Sequence, residues 1–139
     1  MSAQDRRRVL RRALEACIRG ETEPLPELFT ANVSGWSPNM LVTSLDELTD
    51  AVADRDEALS NVDLQITSLE VIGDRGFAEY RVSAVFSGPF VIRKDTVIEP
   101  NGRELLLGAA IAVEFSGDRV SAFRNYFDDA TLMEQMLVS

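Results

Sequence analysis

The spacing of hydrophobic residues divides the chain into a helical first part and a strand-rich second part. Leu10, Leu14 and Ile18 recur at helical spacing within residues 5–19, which predicts a first helix. The segment "PELF" predicts a short second helix, because proline is favoured at the start of a helix. A third helix is predicted from "SLDELTDAVADRDEAL", whose first serine and glutamate have capping-box spacing.

After residue 60, hydrophobic and polar positions alternate, and glycine-containing turns interrupt them at strand-length intervals. The turns are "GDRG", "SGP", "PNG" and "SGD", and the Asn101-Gly102 pair is a strong hairpin signal. An α+β domain over residues 1–139 is therefore expected, in which a curved, mixed and mostly antiparallel sheet wraps the three helices before a short C-terminal helix. The predicted strands lie near 62–72, 77–87, 91–99, 104–116 and 119–127.

Composition narrows the classes of partner. The 139 residues carry a formal net charge of −9 and a single cysteine, Cys17, so neither an internal disulfide nor a cysteine-based metal cluster can form. The acidic body repels phosphates, and no apolar run is long enough to cross a bilayer. The arginine-rich N-terminus lacks the apolar segment of a secretory signal. We expect a cytoplasmic protein with no cofactor, metal, nucleic-acid or membrane partner.

Parity places one polar residue on an apolar face of the last predicted strand. Side chains two positions apart share a face, so Phe123, Asn125 and Phe127 lie together. The strand before it has an uninterrupted apolar face that includes Leu107 and Ile111. Because a curved sheet covered by helices leaves a cavity lined by such faces, we expect Asn125 to lie deep in an apolar cup.

The strand at 77–87 has two candidate inward faces. One face is polar and includes Arg81 and Ser83, and the other is apolar and includes Tyr80. Hydrophobicity favours the apolar face as the core face. If the polar face points into the cup instead, the apolar face is available for a dimer interface. Both arrangements are consistent with the sequence.

This layout resembles the nuclear transport factor 2-like superfamily, a cone-shaped fold shared by ketosteroid isomerases, SnoaL-like polyketide cyclases and limonene epoxide hydrolases. The resemblance covers nearly the whole chain and rests on the order of the elements and on three segments. These are "ELFTANVSGWSP" as the passage from helix to strand, "FSGDRVSAFRNYFDDATL" as the final hairpin, and the closing "MEQM". The segment "RNYFD" is the most specific part.

The residues at the catalytic positions of these enzymes are different in this chain. By resemblance, Asn125 stands where epoxide hydrolases have the aspartate that acts as a base on water, and an amide cannot take a proton. Their Arg-x-Asp pair corresponds to Arg81 and Ser83, so the carboxylate is lost. The base of ketosteroid isomerases corresponds to Ser37, and their oxyanion-hole acid falls near Ile111. SnoaL-like cyclases commonly use a histidine, and this chain has none.

A set of polar side chains in an apolar cup remains. Asn125 and Arg81 are the candidate catalytic residues, because both can polarise a ligand carbonyl. Structural roles compete with these: Asn125 satisfying buried backbone, Arg81 pairing with a nearby glutamate, and Trp36 filling the edge of the core. The carboxylate of Asp128 is expected to cap the final helix. The expected ligand-binding residues are Trp36, Ser37, Asn39, Ser83, Leu107, Ile111, Phe123 and Phe127.

Two functions follow as hypotheses. The first is binding of a small oxygenated hydrophobic molecule of polyketide, terpenoid or steroid type, which an enzyme of this kind would isomerise, cyclise or hydrate. The second is a non-catalytic homodimeric association module with a vestigial pocket. A homodimer is expected in either case. The second hypothesis uses an exposed sheet face built from Tyr80, Val82, Ala84 and Phe86.

Overall fold

A computed structural model describes residues 3–92 and 96–138 of the chain. The helices are α1 (Ala3–Arg19), α2 (Leu25–Leu28), α3 (Leu45–Ala58) and α4 (Asp129–Leu137). The strands are β1 (Phe29–Ser37), β2 (Met40–Val42), β3 (Leu59–Ile72), β4 (Arg75–Phe86), β5 (Phe90–Ile92), β6 (Thr96–Ile98), β7 (Glu104–Ser116) and β8 (Arg119–Phe127). None of the described helices combines the length and the apolar character needed to cross a membrane.

Six strands form one curved, open sheet in the order β2-β1-β8-β7-β4-β3. Neighbouring strands are antiparallel except β1 and β8, which run parallel. The two long hairpins turn at "GDRG" and "SGD", where Gly73 and Gly117 take positive φ angles of 60° and 63°. The α+β class, the mixed sheet and the short final helix predicted from the sequence are confirmed.

The helices pack against one face of this sheet, where the apolar residues meet. The main core joins α1, α2 and α3 to β1, β4, β7 and β8, with Leu10, Leu14 and Val52 among the buried side chains. A second cluster lies below α4 and includes Phe86 and Met136. Each such side chain stabilises the fold by roughly 1.5 to 3 kcal/mol relative to exposure. Burial on one face therefore determines which residues can line an interior cavity.

The helix starts follow the predicted chemistry. Ser44 precedes α3, and its side chain accepts a hydrogen bond from the Glu47 amide at 3.1 Å, as a capping box requires. Asp128 precedes α4 and accepts from the Thr131 amide at 3.1 Å. Hydrogen bonds from Thr131 also lower the pKa of the Asp128 carboxyl. The capping role predicted for Asp128 is confirmed.

The region predicted as one strand at 91–99 is different. It contains the separate strands β5 and β6, which pair only with each other, and residues 93–95 lie outside the described residues. The Asn101-Gly102 pair therefore does not close a hairpin with β7. The side chain of Asn101 instead donates to the carbonyl oxygens of Gln135 and Val138 at 2.9 and 2.7 Å, which ties this loop to the end of α4. Gly102 takes a positive φ of 71°, but the predicted strand at 91–99 and its hairpin with β7 are wrong.

Candidate functional site

Two adjoining cavities lie between the sheet and the helices, with volumes of about 40 Å³ and about 60 Å³. Since one water needs roughly 10 to 15 Å³, together they hold several waters. A ligand with a ring requires the lining side chains to move apart. Most of the lining is aliphatic or aromatic, and the residues common to both cavities are Ile18, Arg55, Tyr80 and Asn125.

A polar pair lies in this apolar surrounding. The hydroxyl of Tyr80 donates a hydrogen bond of 2.6 Å to Oδ1 of Asn125. Tyr80 is on β4 and Asn125 on β8, so the contact crosses β7, which lies between them. In the register, Tyr80 is opposite Ala109 of β7, whose small side chain leaves room for the tyrosine ring. In this arrangement Oδ1 accepts from Tyr80, and the Asn125 Nδ2 has no hydrogen-bond partner among the described residues.

Burial controls the ionisation of two groups that line the first cavity. It raises the pKa of Tyr80 to about 12, against the nearby charge of Arg55 and the hydrogen bond to Asn125. It also raises the pKa of the Cys17 thiol to about 12, and Arg55 again acts in the opposite direction. Both groups therefore stay protonated at neutral pH. Tyr80 acts as a hydrogen-bond donor, and neither group is a base under those conditions.

Arg55 enters the site from α3. It follows Val52 by three positions and Leu48 by seven, so the helix places it on the same face as these two buried residues. It lines both cavities and also a wider groove of about 380 Å³ beside α3, β2 and β5. No other cation lines these three spaces among the described residues.

Several predicted ligand-binding residues lie at the cavities. Phe123 and Ile111 line the first cavity, and Phe127 and Leu107 line the second, with Asn125 at both. Asn39 lines the second cavity and the groove. The alternation of β7 and β8 thus placed these side chains where they were expected. Their roles in binding or catalysis stay predictions.

Arg81 and Ser83 need a correction. The inward face of β4 is the apolar one, which carries Tyr80 and Ala84, so Arg81 and Ser83 point to the other side of the sheet. Arg81 and Ser83 line a shallow depression there with Asp63 and other outer residues, apart from Asn125. They are not brought together with the amide. The physical reason is that burying the tyrosine and its apolar neighbours outweighs burying a guanidinium without a partner.

Trp36 and Ser37 are also not in the cavities. Trp36 is 42% exposed on the outer face, where its ring centroid lies 5.4 Å from that of Tyr126. The neighbouring Gly35 faces inward, and a Cβ there would overlap the ring of Phe123. Ser37 is buried, and its hydroxyl contacts Oδ1 of Asn39 at 3.1 Å. Parity around Gly35 therefore sends the tryptophan outward, contrary to the expectation of a stacking residue at the mouth.

Sequence reasoning missed Arg55 and assigned Tyr80 to no site. Arg55 lies in an acidic segment, "ADRDEA", whose composition is typical of solvated surface. Its spacing of three and seven from apolar residues was the available signal. Tyr80 was visible as one of two alternatives for β4. No local signal predicts its bond to Asn125, since the two residues are 45 positions apart.

The arrangement can donate hydrogen bonds but offers no strong base. Asn125 Nδ2 and the Arg55 guanidinium are donors, which suits a ligand oxygen that carries negative or partial negative charge. Among the described residues lining the two cavities there is no aspartate, glutamate or histidine. Carboxylates line the groove instead, from Glu47, Asp50 and Asp54. The described residues also contain no cluster of three or more metal-ligating side chains.

Known proteins with this fold are numerous. A candidate SnoaL-like polyketide cyclase from Jannaschia sp. CCS1 matches with a TM-score of 0.86 at 14% identity, over 99% of this chain and 94% of that one. A protein with a ketosteroid isomerase-like fold from Catenulispora acidiphila matches with a TM-score of 0.75 at 15% identity, over 94% and 93%. An epoxide hydrolase of M. tuberculosis that resembles limonene epoxide hydrolase gives 0.72 at 10% identity, over 97% and 91%.

These identities are low, so the matches establish the fold, which is nuclear transport factor 2-like as the sequence resemblance implied. No curated protein matches the chain in sequence. The family model described as SnoaL-like polyketide cyclase matches residues 7–136, which is nearly the full length. This chain therefore belongs to the SnoaL-like polyketide cyclase family.

Proposed function

We propose that the protein binds a small oxygenated hydrophobic molecule of polyketide, terpenoid or steroid type. The ring of this ligand lies in the apolar cavities, and the ligand's carbonyl oxygen accepts a hydrogen bond from Nδ2 of Asn125. The observation that carries this proposal is the orientation of the amide: Tyr80 occupies Oδ1, so the free donor remains in an apolar surrounding. Membership of the SnoaL-like family supports a small-molecule ligand.

The same donor suits a reaction in which charge develops on the carbonyl oxygen. Isomerisation, cyclisation and hydration of such compounds all pass through states of that kind, and a donor in a dry site stabilises them. Each also needs a base, which the described cavity lining does not supply. Binding is therefore the primary function in this proposal, and a reaction depends on a base from water, the groove carboxylates or the substrate.

A matched pair of ligands tests the binding role of Asn125. We expect 1-tetralone to bind more tightly than tetralin, which has the same rings without the carbonyl, in titration calorimetry. Asn125→Leu removes the donor and should abolish the preference, while Arg81→Gln on the outer face should keep it. One good hydrogen bond corresponds to a difference of about five- to tenfold. Equal affinities of the wild type for both compounds contradict the role of Asn125, and failure of both to bind contradicts the proposal.

A second candidate function is homodimerisation, through a different surface from the one expected from the sequence. Tyr80, Ala84 and Phe86 are buried and Val82 is partly buried, so the face expected from the sequence is the interior one. The exposed aromatic side chains of the outer face are Phe77, Trp36 and Tyr126 at 47%, 42% and 48% exposure. They surround a strand floor of small residues, Gly108, Ala110 and Ala112.

A flat floor bordered by aromatic side chains suits a second copy of the same sheet, since aromatic residues dominate protein interfaces. We expect analytical ultracentrifugation to detect a dimer that Tyr126→Asp dissociates. Leu137→Asp, which alters a still more exposed apolar residue on α4, should leave the dimer intact. A wild-type protein that stays monomeric at high concentration contradicts this function, and so does a dimer that survives Tyr126→Asp together with Phe77→Asp.

We also propose that the protein acts in the cytoplasm and has no nucleic-acid or membrane partner. Its net charge of −9 supports the absence of nucleic-acid and anionic membrane partners, because a strongly acidic surface repels phosphate groups. Cell fractionation tests the location, and retention on a heparin or DNA column at physiological salt contradicts the absence of a polyanion partner.

A further inference from the structure

Arg55 has no protein partner at the place where the groove meets the two cavities. No ion pair or hydrogen bond joins its guanidinium to another described residue, although four other arginines form ion pairs elsewhere in the described structure. Arg55 is partly buried, and the cavity lining around it is apolar. A guanidinium in such a place is stabilised by water or by a ligand that supplies negative charge.

The negative and positive side chains of the groove occupy different positions relative to the cavities. Glu47, Asp50 and Asp54 line the groove but neither cavity, so the carboxylates are in the outer space and the cation lies where the spaces meet. The charge of Arg55 is felt inside the site, because it acts to lower the pKa of Tyr80 and of Cys17. A ligand that is apolar except for one negative oxygen is most stable with that oxygen at Arg55, away from the carboxylates.

We propose that Arg55 makes the site selective for hydrophobic ligands that carry one negatively charged oxygen, either a carboxylate or an ionised enol. The guanidinium binds this oxygen where the groove meets the cavities, and the ring extends toward Tyr80 and Asn125. The planar fork of arginine suits a carboxylate, with two parallel hydrogen bonds, better than a single enol oxygen. This inference rests on the proposed binding function and adds the charge of the ligand, which that function leaves open.

Calorimetry with matched probes tests the inference. 2-Naphthoate and ionised 2-hydroxy-1,4-naphthoquinone represent the two anions, and their methyl ester and methyl ether are the neutral counterparts. The wild type should bind at least one anion about tenfold more tightly than its neutral counterpart, as expected for a hydrogen bond to a charged group. A cation of similar size, 2-naphthylmethylammonium, should bind more weakly than the neutral compounds.

Variants then assign the preference to Arg55. Arg55→Gln should remove the preference for the anion and leave the affinity for the neutral compounds close to that of the wild type. Arg55→Lys keeps the charge without the fork, so it should retain part of the preference, and less for naphthoate than for the enolate. Arg81→Gln, on the opposite side of the sheet, is the matched control and should behave as the wild type. Thermal melts verify that each variant folds.

The outcomes separate this inference from the proposed function. If neutral compounds bind and the anions bind no better, Arg55 is not a selective residue but the binding function stands. A preference for anions that survives Arg55→Gln also overturns the inference, and so does tighter binding of the ammonium compound, which would assign recognition to the groove carboxylates. If no probe and neither tetralone nor tetralin binds the wild type, both the inference and the proposed function fail.

Discussion

At the scale of single residues, the amide of Asn125 differs from a carboxylate in the hydrogen bonds that it can make while bound to Tyr80. A carboxylate accepts hydrogen bonds at both oxygens, whereas Asn125 accepts from Tyr80 at Oδ1 and keeps donors at Nδ2. The pair therefore presents donors to the cavity and needs no ionised group. Asn125 does not act as a hydrogen-bond partner for buried backbone groups of the described residues, because the hydrogen bond that it forms is to the side chain of Tyr80.

A double-mutant cycle measures the contribution of this pair to stability. Asn125→Leu leaves the buried hydroxyl of Tyr80 without an acceptor, so we expect it to lower the free energy of unfolding by about 1 to 3 kcal/mol. Tyr80→Phe should cost less, because the Asn125 amide can turn toward the cavity. The double variant should be more stable than the two single losses added together suggest. Urea unfolding supplies all four values, and strict additivity contradicts the coupling.

Parity explains which of these residues the sequence predicts and which it does not. In β7 and β8 the alternation leaves a single apolar face, so the inward position of Asn125 follows from its neighbours. In β4 both faces hold large side chains, and the choice depends on strand pairing far along the chain. The sequence left both faces of β4 possible, and Arg81 was a candidate site residue through the family resemblance. Packing of Tyr80 in the main core, which the helices share, selects the apolar face. A family resemblance matches residues by their place along the chain. It does not determine which side of the sheet a side chain points to when the residues of the strand have changed.

At the scale of elements, α4 closes the second cavity and is attached to β7 by its own Gln135 side chain. Leu132 and Met136 of α4 line that cavity. Gln135 binds the backbone of Leu106 twice, accepting from its amide at 2.7 Å and donating to its carbonyl at 2.9 Å. The sequence predicted a helix here from its cap, but not this attachment, because it joins residues 29 positions apart.

We expect Gln135→Ala to loosen α4 more than it weakens the whole fold. The change removes both bonds to β7, so hydrogen exchange of the α4 amides should become at least about tenfold faster. The global free energy of unfolding should fall by only about 1 to 2 kcal/mol. Glu134→Ala is the matched control, because Glu134 is exposed on the same helix and should change neither quantity appreciably. Equal acceleration of exchange throughout the sheet would mean that α4 does not open by itself.

At the scale of the whole molecule, the two faces of the sheet have different surroundings. The inner face, covered by helices, forms the cavities, and the outer face carries exposed aromatic side chains. Element order and hydrophobic spacing were enough to predict the architecture, because each long helix and most of the long strands have one clear apolar face. They were not enough to predict the entrance, since Arg55, β2 and β5 meet there only after the chain has folded.

Burial of two weak acids beside the cavity makes the whole fold sensitive to alkali. Tyr80 and Cys17 hold their protons to about pH 12 in the folded protein, whereas their usual pKa values are 10.0 and 9.0. The folded state therefore binds more protons than the unfolded state between those limits. These groups stabilise the fold fully below about pH 9, and their contribution is lost as the pH rises, by up to about 1.4 kcal/mol per pH unit for each group.

Urea unfolding at increasing pH separates the two groups. Cys17→Ala should reduce the loss of stability that begins near the usual thiol pKa of 9.0, and Tyr80→Phe the loss that begins near 10.0. With both changes the alkaline slope should be shallower than in the wild type by up to about 2.7 kcal/mol per pH unit above the second value. An unchanged slope in the double variant contradicts the burial of these groups.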